Sequence, residues 1–175
     1  NLDKFSGTVL VSNNDQVVFE YVSGLANKGF GIANNIETKF NIGSLGKMFT
    51  CVAVAQLVEK GLLSFDGVVG KYLVDYPNKE VAEKVTLHHL LTHTSGMGTI
   101  FNRKFAESRW KLRTIESLIP LFADDPLFFE PGSKWSYSNS AFVLLGRIIE
   151  VVSGENYFEY VRKHIFDIAG MTNTD

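Results

Sequence analysis

The chain has 175 residues, of which 45% are hydrophobic, and its formal net charge is −2. This length suits one domain with a sizeable core, or part of a larger domain, and the composition is that of an ordinary globular protein. The sequence lacks the run of roughly 18 apolar residues that a transmembrane helix needs and the basic stripe that favours nucleic-acid binding. Cys51 is the single cysteine, so an internal disulfide is excluded.

The first part of the chain predicts an antiparallel β-hairpin over about residues 5–24. Ser6 to Val11 has the composition of a strand, Asn13-Asn14-Asp15 that of a turn, and Gln16 to Ser23 that of the returning strand. The glycine- and asparagine-rich stretch 25–36 predicts a connection. Because a two-stranded hairpin is only marginally stable alone, we expect it to need further packing partners.

Ser44 and Lys47 form a Ser-x-x-Lys pair at the start of the next predicted element, a helix that runs to about Lys60 and ends at Gly61. Residues three apart share a helix face, so the lysine amine can reach the serine hydroxyl. A serine becomes a good nucleophile when a neighbouring group takes its proton, and a lysine desolvated by burial can do so. By itself, however, such a pair is more often a helix-terminal serine beside a solvated lysine.

The helix that carries this pair is predicted to be buried at the centre of the protein. Apolar residues lie most of the way round it, namely Met48, Val52, Ala55 and Val58. Central burial would desolvate Lys47. The positive end of the helix would also favour an oxyanion beside Ser44.

Capping residues and periodicity predict further helices at 86–92, 114–123, 141–152 and 156–166, with a polar and aromatic loop or lid at 98–111. His89 and His93 lie four residues apart, a spacing that also occurs in zinc sites. In a zinc-protease helix the residue after the first histidine is Glu, whereas Leu90 occupies that position here. We therefore interpret His88, His89 and His93 as structural or exposed residues.

A second motif, Tyr137-Ser138-Asn139, stands just before the predicted helix at 141–152. A Tyr-x-Asn roughly a hundred residues after Ser-x-x-Lys resembles the penicillin-binding protein and serine β-lactamase superfamily. The branch is the one that holds class C β-lactamases, D-alanyl-D-alanine carboxypeptidases and related esterases. Other stretches match it too: Leu90 to Met97, Pro131-Gly132-Ser133, Tyr137 to Gly154, and 168–174.

This resemblance covers nearly every residue from Phe5 onward and implies an α/β (α+β) fold of the β-lactamase/transpeptidase type. The whole of 1–175 is then the N-terminal part of one hydrolase domain. It would contain a helical region at about 44–170 and an antiparallel sheet that is incomplete at the C-terminus, with the hairpin as the part present.

The resemblance also implies roles for the motif residues. Ser44 would be the acylated nucleophile and Lys47 its proton partner, with the backbone N–H of Ser44 as one oxyanion donor. Tyr137 would be the general base or acid that serves the serine and the leaving group. Asn139 would bind the substrate and the lysine. His93 belongs to a family motif, and we interpret it as structural. No metal or organic cofactor is implied.

The chain departs from the family after Asn139, because the third motif, Lys-Thr-Gly or His-x-Gly, has no counterpart there. Neither Lys163-His164-Ile165 nor Val152-Ser153-Gly154 fits. The second oxyanion donor would come from that motif. We therefore expect the chain to be the N-terminal half to two-thirds of a hydrolase, whose C-terminal part supplies the remaining sheet strands.

The implied function is that of a serine hydrolase acting through an acyl-enzyme on an amide, β-lactam or ester, with a small-molecule or peptidoglycan-like acyl substrate. Two alternatives stay open: a penicillin-recognising sensor that is acylated without turnover, and a non-catalytic homologue that keeps the fold for interactions. We expect the isolated chain to associate with itself, to bind a C-terminal fragment that completes the sheet, or to aggregate.

Overall fold

The computed structural model describes residues 5–175, so the first four residues of the predicted domain lie outside the described part. Two compact units divide the chain: one runs to Ile42 and includes Asn173–Asp175, and the other is Gly43–Thr172. Within residues 5–175, no helix combines the length and apolarity needed to cross a membrane. The fold mixes helices with antiparallel strands, as the fold class predicts.

The predicted hairpin is present in the first unit. Strand β1 (Gly7–Asn13) pairs antiparallel with β2 (Gln16–Ser23), and a bulge follows Val11. The turn residues Asn14 and Asp15 have φ values of 47° and 62°. Positive φ at both central residues is what a two-residue hairpin turn requires, and Asn and Asp tolerate it better than most residues.

A second small sheet occupies part of the stretch predicted as a connection. Strands β3 (Leu25–Asn27) and β4 (Ile32–Ala33) pair antiparallel. The prediction was wrong here because strands of three and two residues are too short to show an alternating pattern.

The hairpin leaves large apolar side chains exposed on both of its faces. Each is between 45% and 60% exposed: Leu10, Val11, Val17, Val18, Phe19 and Tyr21. Because alternate residues of a strand point to opposite faces, these neighbours cannot all be buried against one surface.

The second unit is helical. A 3-10 turn at Gly43–Gly46 leads directly into α1 (Lys47–Glu59). The other helices are α2 (Val69–Tyr72), α3 (Lys79–Lys84), α4 (Leu87–Leu91), α5 (Arg103–Ser108), α6 (Ile115–Leu118), α7 (Asn139–Ser153) and α8 (Tyr157–Val161). A 3-10 turn, Ile119–Leu121, follows α6, and a π-helical turn, Arg162–Phe166, follows α8.

Helices α2 and α3 were not predicted, and two further segments differ from what the sequence predicts. The expected loop at 98–111 contains α5, which the Asn102 side chain caps by accepting a hydrogen bond from Phe105 N–H. The helix expected at 114–123 keeps α-helical geometry only at α6, and the 3-10 turn continues it. Pro120 lies in that turn, and proline disfavours a continuous α-helix because it has no N–H to donate.

Helices α1 and α7 pack together at the centre of the helical core. The fully buried residues of α7 recur every three or four positions, which places them on one face: Ala141, Leu144, Leu145, Ile148 and Ile149. They meet Ala53, Val54 and Leu57 of α1 in one hydrophobic cluster. This packing fixes the start of α7 beside the start of α1.

The prediction that α1 is buried at the centre of the protein is correct for only part of its surface. Its Thr50, Ala53, Val54 and Leu57 are buried, but Met48 is 57% and Val52 43% exposed. The reason is that α7, α8 and the π-helical turn pack on one side of the helix. Apolar residues in a sequence show which faces of a helix could be buried. Tertiary packing decides which of those faces other elements cover.

Candidate active site

Ser44 lies in the 3-10 turn that precedes α1, and Lys47 is the first residue of the helix. The sequence placed both residues at the opening of one helix. In a 3-10 turn, side chains three residues apart are nearly eclipsed, which holds Lys47 directly against Ser44. Lys47 Nζ donates to Ser44 Oγ at 3.1 Å. Ser44 is exposed and Lys47 half-buried.

Tyr137 and Asn139 reach the same place from the start of α7. Ser138, which lies between them in extended backbone, is fully buried. Its hydroxyl donates to the Gly98 carbonyl at 2.7 Å and caps α7 by accepting from Ala141 N–H at 3.0 Å. Successive side chains of an extended segment alternate in direction, so anchoring Ser138 inward turns its two neighbours towards Ser44.

The four motif residues form one hydrogen-bond network. The Tyr137 hydroxyl donates to Ser44 Oγ at 2.7 Å. Lys47 Nζ, besides its bond to Ser44, donates to Asn139 Oδ1 at 3.0 Å. The structure thus brings together every residue to which the sequence assigned a role in the site, although 93 positions separate Ser44 from Tyr137.

The network lowers the pKa of the Tyr137 phenol below its usual value. The nearby Lys47 ammonium contributes most, and the hydrogen bond with Ser44 contributes next. Both favour the phenolate, since a positive charge stabilises a negative oxygen and the Ser44 hydroxyl can donate a hydrogen bond to Tyr137 once the phenol has lost its proton. The phenolate form of such a residue can accept a proton from a neighbouring hydroxyl, and the phenol form can return it, as a general base and acid do.

The ring of Phe142 also lies close to Lys47, although the sequence analysis assigned it no role. Lys47 Nζ lies 5.5 Å from the centre of its ring and 5.0 Å from that of Tyr137. Aromatic faces attract a cation at this range, so the two rings help to hold the ammonium. The signal in the sequence was spacing: Phe142 follows Asn139 by three residues on α7, which places both on the same helix face.

A cavity of about 340 Å³ opens beside the network. Lys47 and Asn139 line it with the apolar side chains of Ile100, Phe101 and Phe142. A larger cavity, of about 470 Å³, lies near Tyr72–Pro77 and includes none of the four motif residues. We assign the candidate site to the smaller cavity because Lys47 and Asn139, two of the four motif residues, border it.

The histidines make structural contacts. His89 Nδ1 accepts from Thr86 N–H at the start of α4, and His93 packs beside Tyr137 at a ring separation of 4.5 Å. Among residues 5–175, His, Cys, Asp and Glu side chains form no group of three or more that could hold a metal ion.

The known proteins to which this chain is similar include penicillin-binding proteins and an esterase. The family model described as Beta-lactamase matches residues 2–175. The crystal structure of a penicillin-binding protein from Bacillus halodurans is 41% identical, with a TM-score of 0.82, and the match covers 97% of this chain and 52% of that one. The octameric penicillin-binding protein homologue from Pyrococcus abyssi is 35% identical, with a TM-score of 0.79. That match covers 94% of this chain and 39% of the homologue.

Esterase EstB from Burkholderia gladioli is also similar, at 31% identity over 159 residues, which is 83% of this chain and 40% of the esterase. In each of these matches the chain spans about half the length of the similar protein or less.

Proposed function

This chain belongs to the beta-lactamase family, and we propose that the full-length protein is a serine hydrolase that forms an acyl-enzyme on Ser44 with an amide, β-lactam or ester. The observation that carries the proposal is the hydrogen-bond network in which the Tyr137 hydroxyl and the Lys47 ammonium both reach Ser44 Oγ. A nucleophile, a proton acceptor and an orienting group within hydrogen-bond reach of one another are what covalent catalysis needs.

In the proposed reaction the Tyr137 phenolate takes the proton of Ser44 while Oγ attacks the substrate carbonyl carbon. The carbonyl oxygen becomes an oxyanion, which the backbone N–H of Ser44, near the start of the 3-10 turn, would stabilise. The Tyr137 hydroxyl then protonates the leaving nitrogen or oxygen, whose bond to the acyl carbon breaks. Water hydrolyses the resulting ester and restores Ser44.

Lys47 supports Tyr137 as the proton acceptor in two ways. Its charge stabilises the phenolate, and its bonds to Ser44 and Asn139 fix the nucleophile relative to the start of α7. Lys47 can also exchange a proton with Ser44 directly. We favour Tyr137 as the immediate acceptor because its oxygen is closer to Ser44 Oγ, at 2.7 Å compared with 3.1 Å, and because its pKa is lowered.

Turnover of the acyl-enzyme distinguishes a hydrolase from its alternatives. When the full-length protein is mixed with a penicillin and its intact mass is followed over time, we expect an adduct that forms and then disappears as water releases the acyl group. A p-nitrophenyl ester should show the same behaviour as a burst followed by steady release of product. The matched control is the Tyr137→Phe variant, which keeps the ring but lacks the proton-transferring hydroxyl.

The other outcomes decide against the proposal. An adduct that persists without turnover would indicate a penicillin-recognising sensor, and failure to form any adduct would indicate a non-catalytic homologue.

We further propose that the exposed hairpin is covered by other segments of the full-length protein or by a second copy. The support is the exposure of its large apolar side chains and the pairing of β1 and β2 only with each other within residues 5–175, which leaves sheet edges that favour association. The isolated 175-residue chain is therefore expected to dimerise or aggregate, and not to be an active monomer. Light scattering with a nitrocefin assay would measure this, with the full-length protein as control. A monodisperse monomer with full activity would refute it.

A further inference from the structure

His93 touches the segment that presents Tyr137 at more than one point. Its backbone carbonyl accepts a hydrogen bond from Ser136 N–H at 2.9 Å, and its ring Nδ1 accepts one from Ser138 N–H at 3.1 Å. These two donors belong to the residues immediately before and after Tyr137. One histidine therefore holds both flanks of the tyrosine.

The ring of His93 also supports the tyrosine side chain. It lies 4.5 Å from the Tyr137 ring and 5.1 Å from that of Phe142, at similar tilts. The backbone of His93 is left-handed, with φ of 60°, which is uncommon for a residue other than glycine, although asparagine, aspartate and histidine adopt it more often than other residues do. This backbone conformation is strained, and it directs both the carbonyl and Nδ1 of His93 to the segment that carries Tyr137.

Resting on the proposed function, we infer that His93 is a positioning residue for Tyr137, which it clamps in the conformation that reaches Ser44, and that the clamp requires a neutral imidazole. The reason is chemical: a nitrogen that accepts from Ser138 N–H cannot carry a proton, so the neutral ring must hold its proton on Nε2. Protonation of Nδ1 would replace the hydrogen bond with two opposed N–H groups. The Tyr137 oxygen would then lose its fixed distance from Ser44.

The surroundings of His93 keep the ring neutral. Burial lowers its pKa, and the positive charge of Lys47 lowers it further. The titratable groups that face the ring are Lys47 from α1 and Tyr137 from the segment before α7, and the other rings against it are Trp135 and Phe142. The clamp is therefore intact at neutral pH and is lost as pH falls through a pKa that lies below the ordinary value of about 6.5.

Two substitutions of His93 test the hydrogen bond that its Nδ1 accepts from Ser138 N–H. Asparagine and glycine both tolerate the left-handed backbone, and both remove the ring. Asparagine keeps an acceptor, because its Oδ1 is separated from Cα by the same number of bonds as Nδ1 of histidine, and that oxygen does not titrate. The difference between His93→Asn and His93→Gly therefore reports on the hydrogen bond to Ser138 N–H.

The experiment measures the rate of Ser44 labelling by a fluorophosphonate in the full-length protein between pH 5 and 9. At pH 7.5 we expect His93→Asn to label within about threefold of wild type and His93→Gly roughly tenfold to a hundredfold more slowly, as for a misplaced catalytic group. The ratio of the His93→Asn rate to the wild-type rate should rise as pH falls through the pKa of His93, which lies below the ordinary value of about 6.5. A ratio independent of pH, or a His93→Gly variant as fast as His93→Asn, would overturn the inference.

A spectroscopic measurement separates this inference from the proposed function. In full-length wild-type protein with ¹⁵N-labelled histidine, the signals assigned to His93 by their loss in His93→Asn should show the neutral Nε2–H form at pH 7. A proton on Nδ1 would refute the clamp even if Ser44 reacts. If Ser44 is not labelled in wild-type protein, the proposed function fails, and the imidazole spectrum still decides whether the clamp exists.

Discussion

Replacing Ser44 with alanine is expected to abolish covalent labelling of the full-length protein by a fluorophosphonate or a penicillin. The reason is that both reagents need a nucleophilic oxygen with an adjacent proton acceptor, and the structure brings Lys47 and Tyr137 to this hydroxyl. Peptide mass spectrometry of wild-type protein should place the adduct on the peptide that contains Ser44. Loss of one oxygen in an exposed turn should leave the fold intact.

Ser133→Ala is the matched control for this experiment. Ser133 is also an exposed serine in a turn, and its hydroxyl donates to the nearby Glu130 carbonyl, away from the motif residues. It should label at the wild-type rate. Labelling that survives in Ser44→Ala would show that another nucleophile reacts, and the assignment of Ser44 would be wrong.

Replacing Lys47 with alanine is expected to slow acylation by roughly a hundredfold or more, the usual contribution of a positioned acid–base group. The same change removes the main cause of the lowered pKa of Tyr137. That pKa should therefore rise, so the phenolate forms only at higher pH and the low-pH limb of the rate profile moves to higher pH. Labelling rates measured across the pH range would report both effects.

Lys47→Arg tests whether charge alone is sufficient. We expect little recovery, because a guanidinium stays protonated and its planar fork differs from the compact ammonium that donates to both Ser44 and Asn139. Lys79→Ala, on the exposed surface of α3, is the control and should leave the rate unchanged. An active arginine variant would mean that Lys47 contributes only its positive charge.

The candidate site could be found from the sequence because its residues lie in two short motifs. Ser-x-x-Lys depends on local helical spacing, and Tyr-x-Asn is recognised by its resemblance to a motif of the family. Neither motif by itself indicates that the two motifs lie close together in the folded protein. What joins them is the packing of α1 against α7, which results from the apolar face of α7 and was predictable only as an amphipathic pattern.

The contacts of His93 with this network could not be read from the sequence. The histidine lies 45 positions from Ser138, whose N–H it binds, and its left-handed backbone has no marker in composition. Sequence reasoning identified His93 as structural. Only the folded structure shows that its ring nitrogen and its carbonyl hold the residues on either side of Tyr137.

The sequence by itself determined the hairpin and the main helices, because these depend on turn chemistry and periodicity along the chain, and it identified the four motif residues through their resemblance to a known family. The tertiary structure alone decided that α1 exposes Met48 and Val52 and that the buried hydroxyl of Ser138 turns Tyr137 towards Ser44. The physical reason is that a periodic pattern specifies which residues share a face. Which face is covered, and what a side chain meets there, depends on elements distant in the chain.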